Sequence, residues 1–332
     1  MPIVARVGGN IQIAKGRLRG ALKPNLIDLR QRLLLIQTLH ASCGSRCAVN
    51  GRSRIEYGRM ALAGQLHQQA NLVMDNMETT HHALIVDQFT RQAKPFSAVL
   101  PHSAEDSLQL LEDTIQVNAE DEILDVACGP GIVSCWLARK AKRVTGADLV
   151  PAMLDQARRR QADASLNNLQ WSLADADHLP FSENSFTCVV TRYSFHHLLD
   201  PRQTLREMAR VCRPGGRIAV VDVTPDEGKS AAYDAVETLR DPSHTHALPL
   251  QSLLALGAEE KLPLSSTASY RLEIPLEAEL AASFPAPGDA EIVRAMIRRD
   301  LGVDRLSVGA IEINNEIVLR FPISIAVWTK PQ

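Results

Sequence analysis

Acid is almost missing from the start of the chain. Residues 1–73 hold two acidic residues, Asp28 and Glu56, against 11 Lys and Arg, a net of +9. The other 259 residues carry 25 Lys and Arg against 36 Asp and Glu, a net of −11, so the formal charge of −2 averages two unlike pieces. An acidic body repels nucleic acid, which argues against a nucleic-acid partner. Cysteine is scarce too, six in 332 residues at irregular spacings, and makes no disulfide framework. Cys128, Cys135, Cys188 and Cys212 lie in apolar runs, where cysteine behaves as a small buried hydrophobe, and a reducing, cytoplasmic setting is expected. No uncharged apolar run reaches the roughly 18 residues of a membrane span. Met1 to Asn10 lacks the positive-then-apolar layout of a secretory signal, and no internal repeat is visible. What is plentiful is apolar side chain, 45% of the residues, enough for a sizeable core in one or two domains.

The basic stretch 1–73 stands apart from the rest. Leu26, Leu29, Leu33, Ile36 and Leu39 keep helical spacing, with Gly-rich and Arg-rich pieces around them. His40, Cys43 and Cys47 make three metal-type ligands without a fourth nearby, so no metal is expected. An Arg-rich, acid-poor segment also suits an organellar transit peptide, although serine is sparse. The favoured expectation is an upstream extension, with the working protein beginning at Met74 or Met77 and a single domain over 74–332.

From His81 onward the pattern is regular. Residues 81–117 predict two helices broken at Leu100-Pro101. Strand-like runs follow at Glu122–Cys128, Arg143–Asp148, Leu169–Ala174, Phe186–Thr191, Gly216–Val223 and Ile317–Trp328, with helices near 131–140, 151–164, 201–212, 229–239 and 289–301. Such alternation implies a parallel sheet with helices on both faces. Consecutive apolar residues, as in Ile218-Ala219-Val220-Val221, suit strands buried on both sides.

Ile123-Leu-Asp125-Val-Ala-Cys-Gly129-Pro-Gly131 ends a strand in a tight turn before a helix. Glycines there let backbone approach a ligand, and the helix start offers free amides. A dinucleotide loop wants a third glycine where Ser134 stands, and it has no use for the acid at Asp125. A carboxylate at that place suits a ligand with an ammonium group. Asp148 ends the second strand 17 residues after Gly131, placed to accept two ribose hydroxyls. Asp175 follows the third strand, placed to accept from an exocyclic amine such as that of adenine.

In this order, with Asp175-Ala-Asp-His-Leu-Pro-Phe181 and Arg213-Pro-Gly-Gly216, the chain resembles class I S-adenosylmethionine-dependent methyltransferases over about residues 81–330. Within them it is most similar to the ubiquinone/menaquinone C-methylase-like (methyltransferase type 11) group. The resemblance implies a Rossmann-like α/β fold: a seven-stranded, mostly parallel sheet, helices on both faces and an antiparallel last strand. It implies S-adenosyl-L-methionine as cofactor. Asp125, Ala127, Gly129 and Gly131 would form the methionine-side loop, Asp148 would hold the ribose, and Leu149 and Met153 would sandwich the base. Asp175 and the Ala176 amide would read the adenine, and the Thr191 carbonyl would meet the amino group. The usual first glycine of the loop is Ala127 here, and the Asn-Pro-Pro-Tyr signature of nucleic-acid amino methylases is replaced by Thr191-Arg-Tyr-Ser-Phe-His-His197. The characteristic N-terminal segment of true quinone C-methylases is not found. Arg192-Tyr193-x-x-His196-His197 and Leu239-Arg-Asp-Pro-Ser-His244 resemble strings of a subset of bacterial methylases whose substrate is unassigned.

Methyl transfer from a sulfonium is an in-line displacement that needs alignment and a dehydrated nucleophile. The expected acceptor is a small molecule with an O-, C- or S-nucleophile, for which histidine is a suitable base. His196, His244 and Arg240 are the catalytic candidates, the last two in an aperiodic polar loop, Arg240 to His246. Asp222 would line the same cavity, Tyr193 would orient the acceptor or pack in the core, and Phe89, Lys94 and Phe96 lie in a segment that would close over the cofactor. Residues 276–310 read as a lid-like insertion, with helix 289–301 as roof. A monomer or homodimer without a membrane span is expected. The alternative function is a catalytically silent S-adenosylmethionine-binding regulator.

Overall fold

A computed structural model describes residues 77–94 and 104–332; apart from Met77 these belong to one compact unit, Glu78–Gln332. The expectations for 1–73, for Phe96 and for the Leu100-Pro101 break lie outside the described residues.

The helices and strands run in the order α1 (77–94), α2 (Glu105–Ile115), β1 (Glu122–Val126), α3 (Ile132–Leu137), β2 (Arg143–Asp148), α4 (Pro151–Asp163) and β3 (Leu169–Leu173). They continue with β4 (Phe186–Arg192), a single 3-10 turn (Phe195–His197), α5 (Pro201–Val211), β5 (Cys212–Val223), α6 (Ser230–Arg240) and α7 (Leu250–Glu259). The chain then adds β6 (Leu264–Pro275), α8 (Leu276–Ser283), α9 (Asp289–Asp300), β7 (Ile311–Ile313) and β8 (Glu316–Thr329).

Strand alternation explains the consecutive apolar runs. In β5, Ala219 and Val221 enter one core cluster while Ile218 and Val220 enter the other, because successive side chains point to opposite faces. Val189 and Val190 of β4 divide the same way. Each such side chain contributes about 1.5–3 kcal/mol by leaving water, so a strand covered on both faces has no solvated alternative. The helix starts are set locally. Asp200 caps α5 by accepting the Gln203 amide at 3.2 Å, and Pro201 and Pro151 occupy first-turn positions that need no donor.

The sheet order is β3-β2-β1-β4-β5-β8-β6, with β7 paired to β8 as an eighth strand. β1 to β5 are mutually parallel, and β8 runs against both β5 and β6. The mostly parallel sheet with an antiparallel last strand is as expected, with one short strand more. β6 and β7 carry little sequence signal. β6 is an edge strand that begins Leu264-Ser-Ser-Thr-Ala-Ser, half exposed, and only its second half, with Tyr270, Leu272 and Ile274 alternating with Arg271 and Glu273, has an apolar face. No helix among the described residues is long and apolar enough to cross a membrane.

The strand order reverses at β1, with β2 on one side and β4 on the other, so a crevice opens beyond the carboxyl ends of these strands. All the candidate site residues lie near that edge.

Candidate active site

The loop after β1 is shaped by backbone conformations that side chains resist. Ala127, Gly129 and Gly131 have φ of 52°, 52° and 74°. A Cβ on Gly129 would meet nothing within 4 Å, so that residue leaves space open beside the strand ends. A Cβ on Gly131 would lie 2.7 Å from the Trp171 ring and 2.9 Å from Ala157, so this glycine serves the packing of β3 and α4. Ala127 keeps the left-handed turn at a cost that glycine would avoid.

The three acids stand in different surroundings. Asp148 ends β2 with Oδ2 accepting the Gly129 amide at 2.7 Å and Oδ1 accepting the Val150 amide at 2.8 Å. Burial pushes its carboxyl up to about 6, against these two amide bonds. Asp125 is 1% exposed and accepts the Ser134 hydroxyl at 2.5 Å, which ties β1 to α3; burial pushes it up to about 7. Asp175 is half-buried in the turn after β3, where Oδ1 accepts the Asp177 amide at 3.0 Å. Ala176 packs at the margin of the second core cluster. Thr191 is buried, its hydroxyl 2.7 Å from the Val126 carbonyl and 2.6 Å from the Ser194 hydroxyl.

Leu149 and Met153 pack under α1. Ile85, Val86, Phe89 and Ala93 of that helix form a small cluster with Leu149, Val150 and Met153. Lys94 is exposed at its end.

On the other side of α1 lies a cavity with about 650 Å³ of empty space, partly open to solvent. Its apolar wall includes Phe89, Tyr233, Leu272, Ile274, Phe321 and Ile323, drawn from four elements. Phe89 therefore faces both regions, and its ring meets His197 edge-on at 5.0 Å between centroids.

His196 lines this cavity from the 3-10 turn after β4. Its Nδ1 donates to Asp222 Oδ1 at 2.5 Å, which leaves Nε2 as the free ring nitrogen. Asp222 is itself fixed, since its two oxygens also accept the Phe195 amide at 2.7 Å and the Val223 amide at 2.6 Å. Burial would lower the His196 pKa, but the Asp222 carboxylate outweighs it and holds the group above its ordinary 6.5. His197 differs. Burial, reinforced by neighbouring His196, drives its pKa well below 6.5 and keeps it neutral.

Arg240 lines the cavity, but its guanidinium is occupied. It pairs with Glu237 at 2.5 Å and Glu279 at 2.9 Å and donates to the Ser283 hydroxyl at 2.7 Å. His244 does not reach the cavity. It is buried one layer behind, with Nε2 on Asp234 at 2.8 Å, Nδ1 without a partner and the Tyr233 and His196 rings against it. Tyr193 lines the cavity, yet its hydroxyl is 2.6 Å from that of Tyr270 and accepts from Arg192 at 3.0 Å.

Of the insertion 276–310, α8 supplies Glu279, Ala282 and Ser283 to the cavity. The expected roof, α9, packs on α6 and is absent from the lining. Gln88 and Gln92 of α1 donate to the Ser283 carbonyl, and Gln92 also donates to Asp241 at 3.0 Å, so α1, α6 and α8 meet over the cavity. Sequence reasoning missed Tyr233, Glu237 and Glu279. All three are buried, which the sequence gives no sign of.

A parallel sheet with its crevice at the strand-order reversal, a glycine loop and an acid at the end of β2 defines a Rossmann-like nucleotide-cofactor enzyme. A family model described as a methyltransferase domain matches residues 124–220. Methyltransferase GfsG of Streptomyces halstedii is 38% identical over 146 residues, which cover 42% of this chain and 52% of that protein. The ubiquinone/menaquinone biosynthesis C-methyltransferase UbiE of Desulfotalea psychrophila is 35% identical over 118 residues, 35% of this chain and 46% of that protein. The chain thus spans about half the length of these two relatives. The crystal structure of YcgJ from Bacillus subtilis shares the fold with a TM-score of 0.63 at 22% identity, over 69% of this chain and 99% of that one. The chain therefore carries a methyltransferase domain on a Rossmann-like fold. Domains of this kind use S-adenosyl-L-methionine, and the residues present suit it: open space at Gly129 and an Asp148 carboxylate held at the strand end with lone pairs to spare.

Proposed function

We propose that the protein methylates a neutral, largely apolar small molecule carrying a hydroxyl or enol, with His196 as the general base. The observation that carries this reading is the His196–Asp222 pair on the wall of the cavity, which shares Phe89 with the cluster around Leu149 and Met153. When bound, S-adenosylmethionine supplies a methyl group on a sulfonium, a leaving group that needs no further activation. The remaining work falls to the protein. Asp148 holds the ribose, Asp175 with the Ala176 amide reads the adenine, and the Gly129 loop backs the methionine portion. Asp125 supports this loop from behind through Ser134, and Ala127 sets its turn. Leu149 and Met153 flank the base beneath α1, which excludes water from the groove. Thr191 closes the loop's other side through its bond to the Val126 carbonyl.

In the cavity, Nε2 of His196 takes the acceptor proton while Asp222 keeps the ring in one tautomer and stabilises the imidazolium. The acceptor class follows from charge. Glu237, Glu279 and Asp241 outnumber Arg240 around the cavity, so an anionic acceptor would be repelled. Arg240 and His244 are positioning residues in this reading, the first clamping α6 to α8 and the second backing the Tyr233 and His196 rings. The catalytic domain is 74–332, apart from 1–73.

The experiment is a radiolabelled-methyl transfer assay over phenols, quinone precursors and thiols, beside calorimetry with S-adenosylmethionine. Transfer to a phenol or enol that collapses in His196→Ala supports the reading. Tight cofactor binding with no transfer to any of them would favour the silent regulator instead.

A further inference from the structure

A second set of chemically able side chains sits away from the cavity, where α1 passes the turn after β3. Glu78 and His82 lie one helical turn apart on α1, a spacing that puts carboxylate and imidazole on one face. Asp175 and His178 lie three apart in the turn, whose ends are joined as an isolated bridge, with the His178 amide 3.2 Å from the Asp175 carbonyl. Each segment therefore offers one carboxylate and one imidazole toward the other. Ligating atoms of Glu78, Asp175 and His178 all lie within 4.8 Å of one another. His82 Nε2 and His178 Nδ1 each stand 3.7 Å from the same atom, Asp175 Oδ2. Asp177 and Asp200 add carboxylates to the same neighbourhood.

Zinc bonds of about 2.1 Å place tetrahedral ligand atoms roughly 3.4 Å apart, so small side-chain rotations would complete the set. Two imidazoles select a zinc-class cation over magnesium or calcium, which take oxygen alone. We propose that Glu78, His82, Asp175 and His178 form a divalent zinc-class cation site, and that its occupation blocks the cofactor.

The blocking half rests on the assignment of Asp175 to the adenine. Oδ1 of Asp175 already accepts the Asp177 amide, so Oδ2 is the more open oxygen for an exocyclic amine. It is also the oxygen between the two imidazoles. Cation and adenine would compete for one atom. The cation would also pin α1 to the turn from outside. This departs from the expectation of a protein without a metal.

The test is calorimetric titration of the full chain with zinc chloride, with and without S-adenosylhomocysteine, for the wild type and for the double variant His82→Ala/His178→Ala. The chain carries other His and Cys, so the readout is the difference between the two proteins. One micromolar zinc site that weakens at least about tenfold in the double variant is the expected result. Saturating zinc should weaken S-adenosylhomocysteine at least about tenfold in the wild type and leave it unmoved in the variant. Without zinc the variant should bind S-adenosylhomocysteine like the wild type, which shows that it is folded. Zinc binding that is unchanged in the variant overturns the site, as does magnesium binding equally well. Zinc lost with the histidines while S-adenosylhomocysteine is indifferent to it keeps the site, and overturns both the blocking and the adenine role of Asp175.

Discussion

The proposed cofactor groove and the proposed acceptor cavity share Phe89 as a wall and are built on opposite plans. The groove is made of short local strings: Asp125 to Gly131, Asp148 to Met153, and Asp175 with Ala176, each at or just beyond a parallel strand. Two of its three acids are held by backbone amides, Asp148 by those of Gly129 and Val150 and Asp175 by that of Asp177, while Asp125 is tied to the Ser134 hydroxyl. The cavity draws on α1, the 3-10 turn, β5, α6, β6, α8 and β8, and its polar groups are held by other side chains. His196 depends on Asp222, and Arg240 on Glu237 and Glu279. A backbone-held site tolerates sequence drift around it. A site held by side chains can be rebuilt for another substrate by changing a few of them, which is why shared chemistry and different acceptors can go together.

The sharpest way to break the comparison is Asp148→Ala. It removes the carboxylate from the strand end and leaves the Gly129 and Val150 amides without their partner. At about 1.5–3 kcal/mol for each charged hydrogen bond, S-adenosylhomocysteine affinity should fall by roughly 10²–10⁴, read by calorimetry.

Asp222→Asn tests the other plan. It leaves the fold of the groove alone and removes the charge that orients and raises His196. Turnover should drop by about 10–100-fold at neutral pH with cofactor affinity unmoved. The pH profile supplies the sign. His196 must be neutral to act as a base, so wild-type turnover rises with pH through a midpoint above 6.5, and in the Asn variant the midpoint moves down. The same ion pair stabilises the fold fully below about 6.5 and its contribution fades as pH rises through the folded value.

Phe89→Ala strikes the shared wall, because that ring packs with Leu149 and Met153 and also lines the cavity. Both cofactor affinity and turnover should fall, each by about tenfold, together with some loss of stability. A change confined to one of them would show that the two regions are not joined there. The smallest effect is expected from Ala127→Gly. It relieves a left-handed residue at φ 52° and should stabilise by about 0.5–1 kcal/mol, a rise in Tm of a few degrees by calorimetry.

The difference in plan also decided what could be read from the amino-acid order. The glycine loop, Asp148 and the parallel strands are legible because their partners are near in sequence or share one strand edge. His196 was legible for the same reason, standing just past a strand end. Arg240 lines the cavity as its string implied, but neither its glutamate partners nor the place of His244 behind the wall could be read there, because a polar loop looks alike whether its groups face a cavity or each other. In the structure Arg240 is held by two glutamates and His244 by Asp234. Tyr233 and Glu279 left no trace, since helical periodicity says which residues are buried and not what they are buried against. β6 escaped because its first half is mostly Ser and Thr, which leaves only the short alternation of Tyr270, Leu272 and Ile274 with Arg271 and Glu273 as a strand signal.

The central claim is that cofactor capture and acceptor activation are separable, with His196 serving the second alone. It is tested most directly by measuring, on one preparation of His196→Ala, both methyl transfer to a phenolic or enolic acceptor used by the wild type and the affinity for S-adenosylhomocysteine. The account expects turnover to fall by about 10²–10⁴ with the affinity within about twofold of wild type. Turnover that survives, or an affinity that falls along with it, would contradict it.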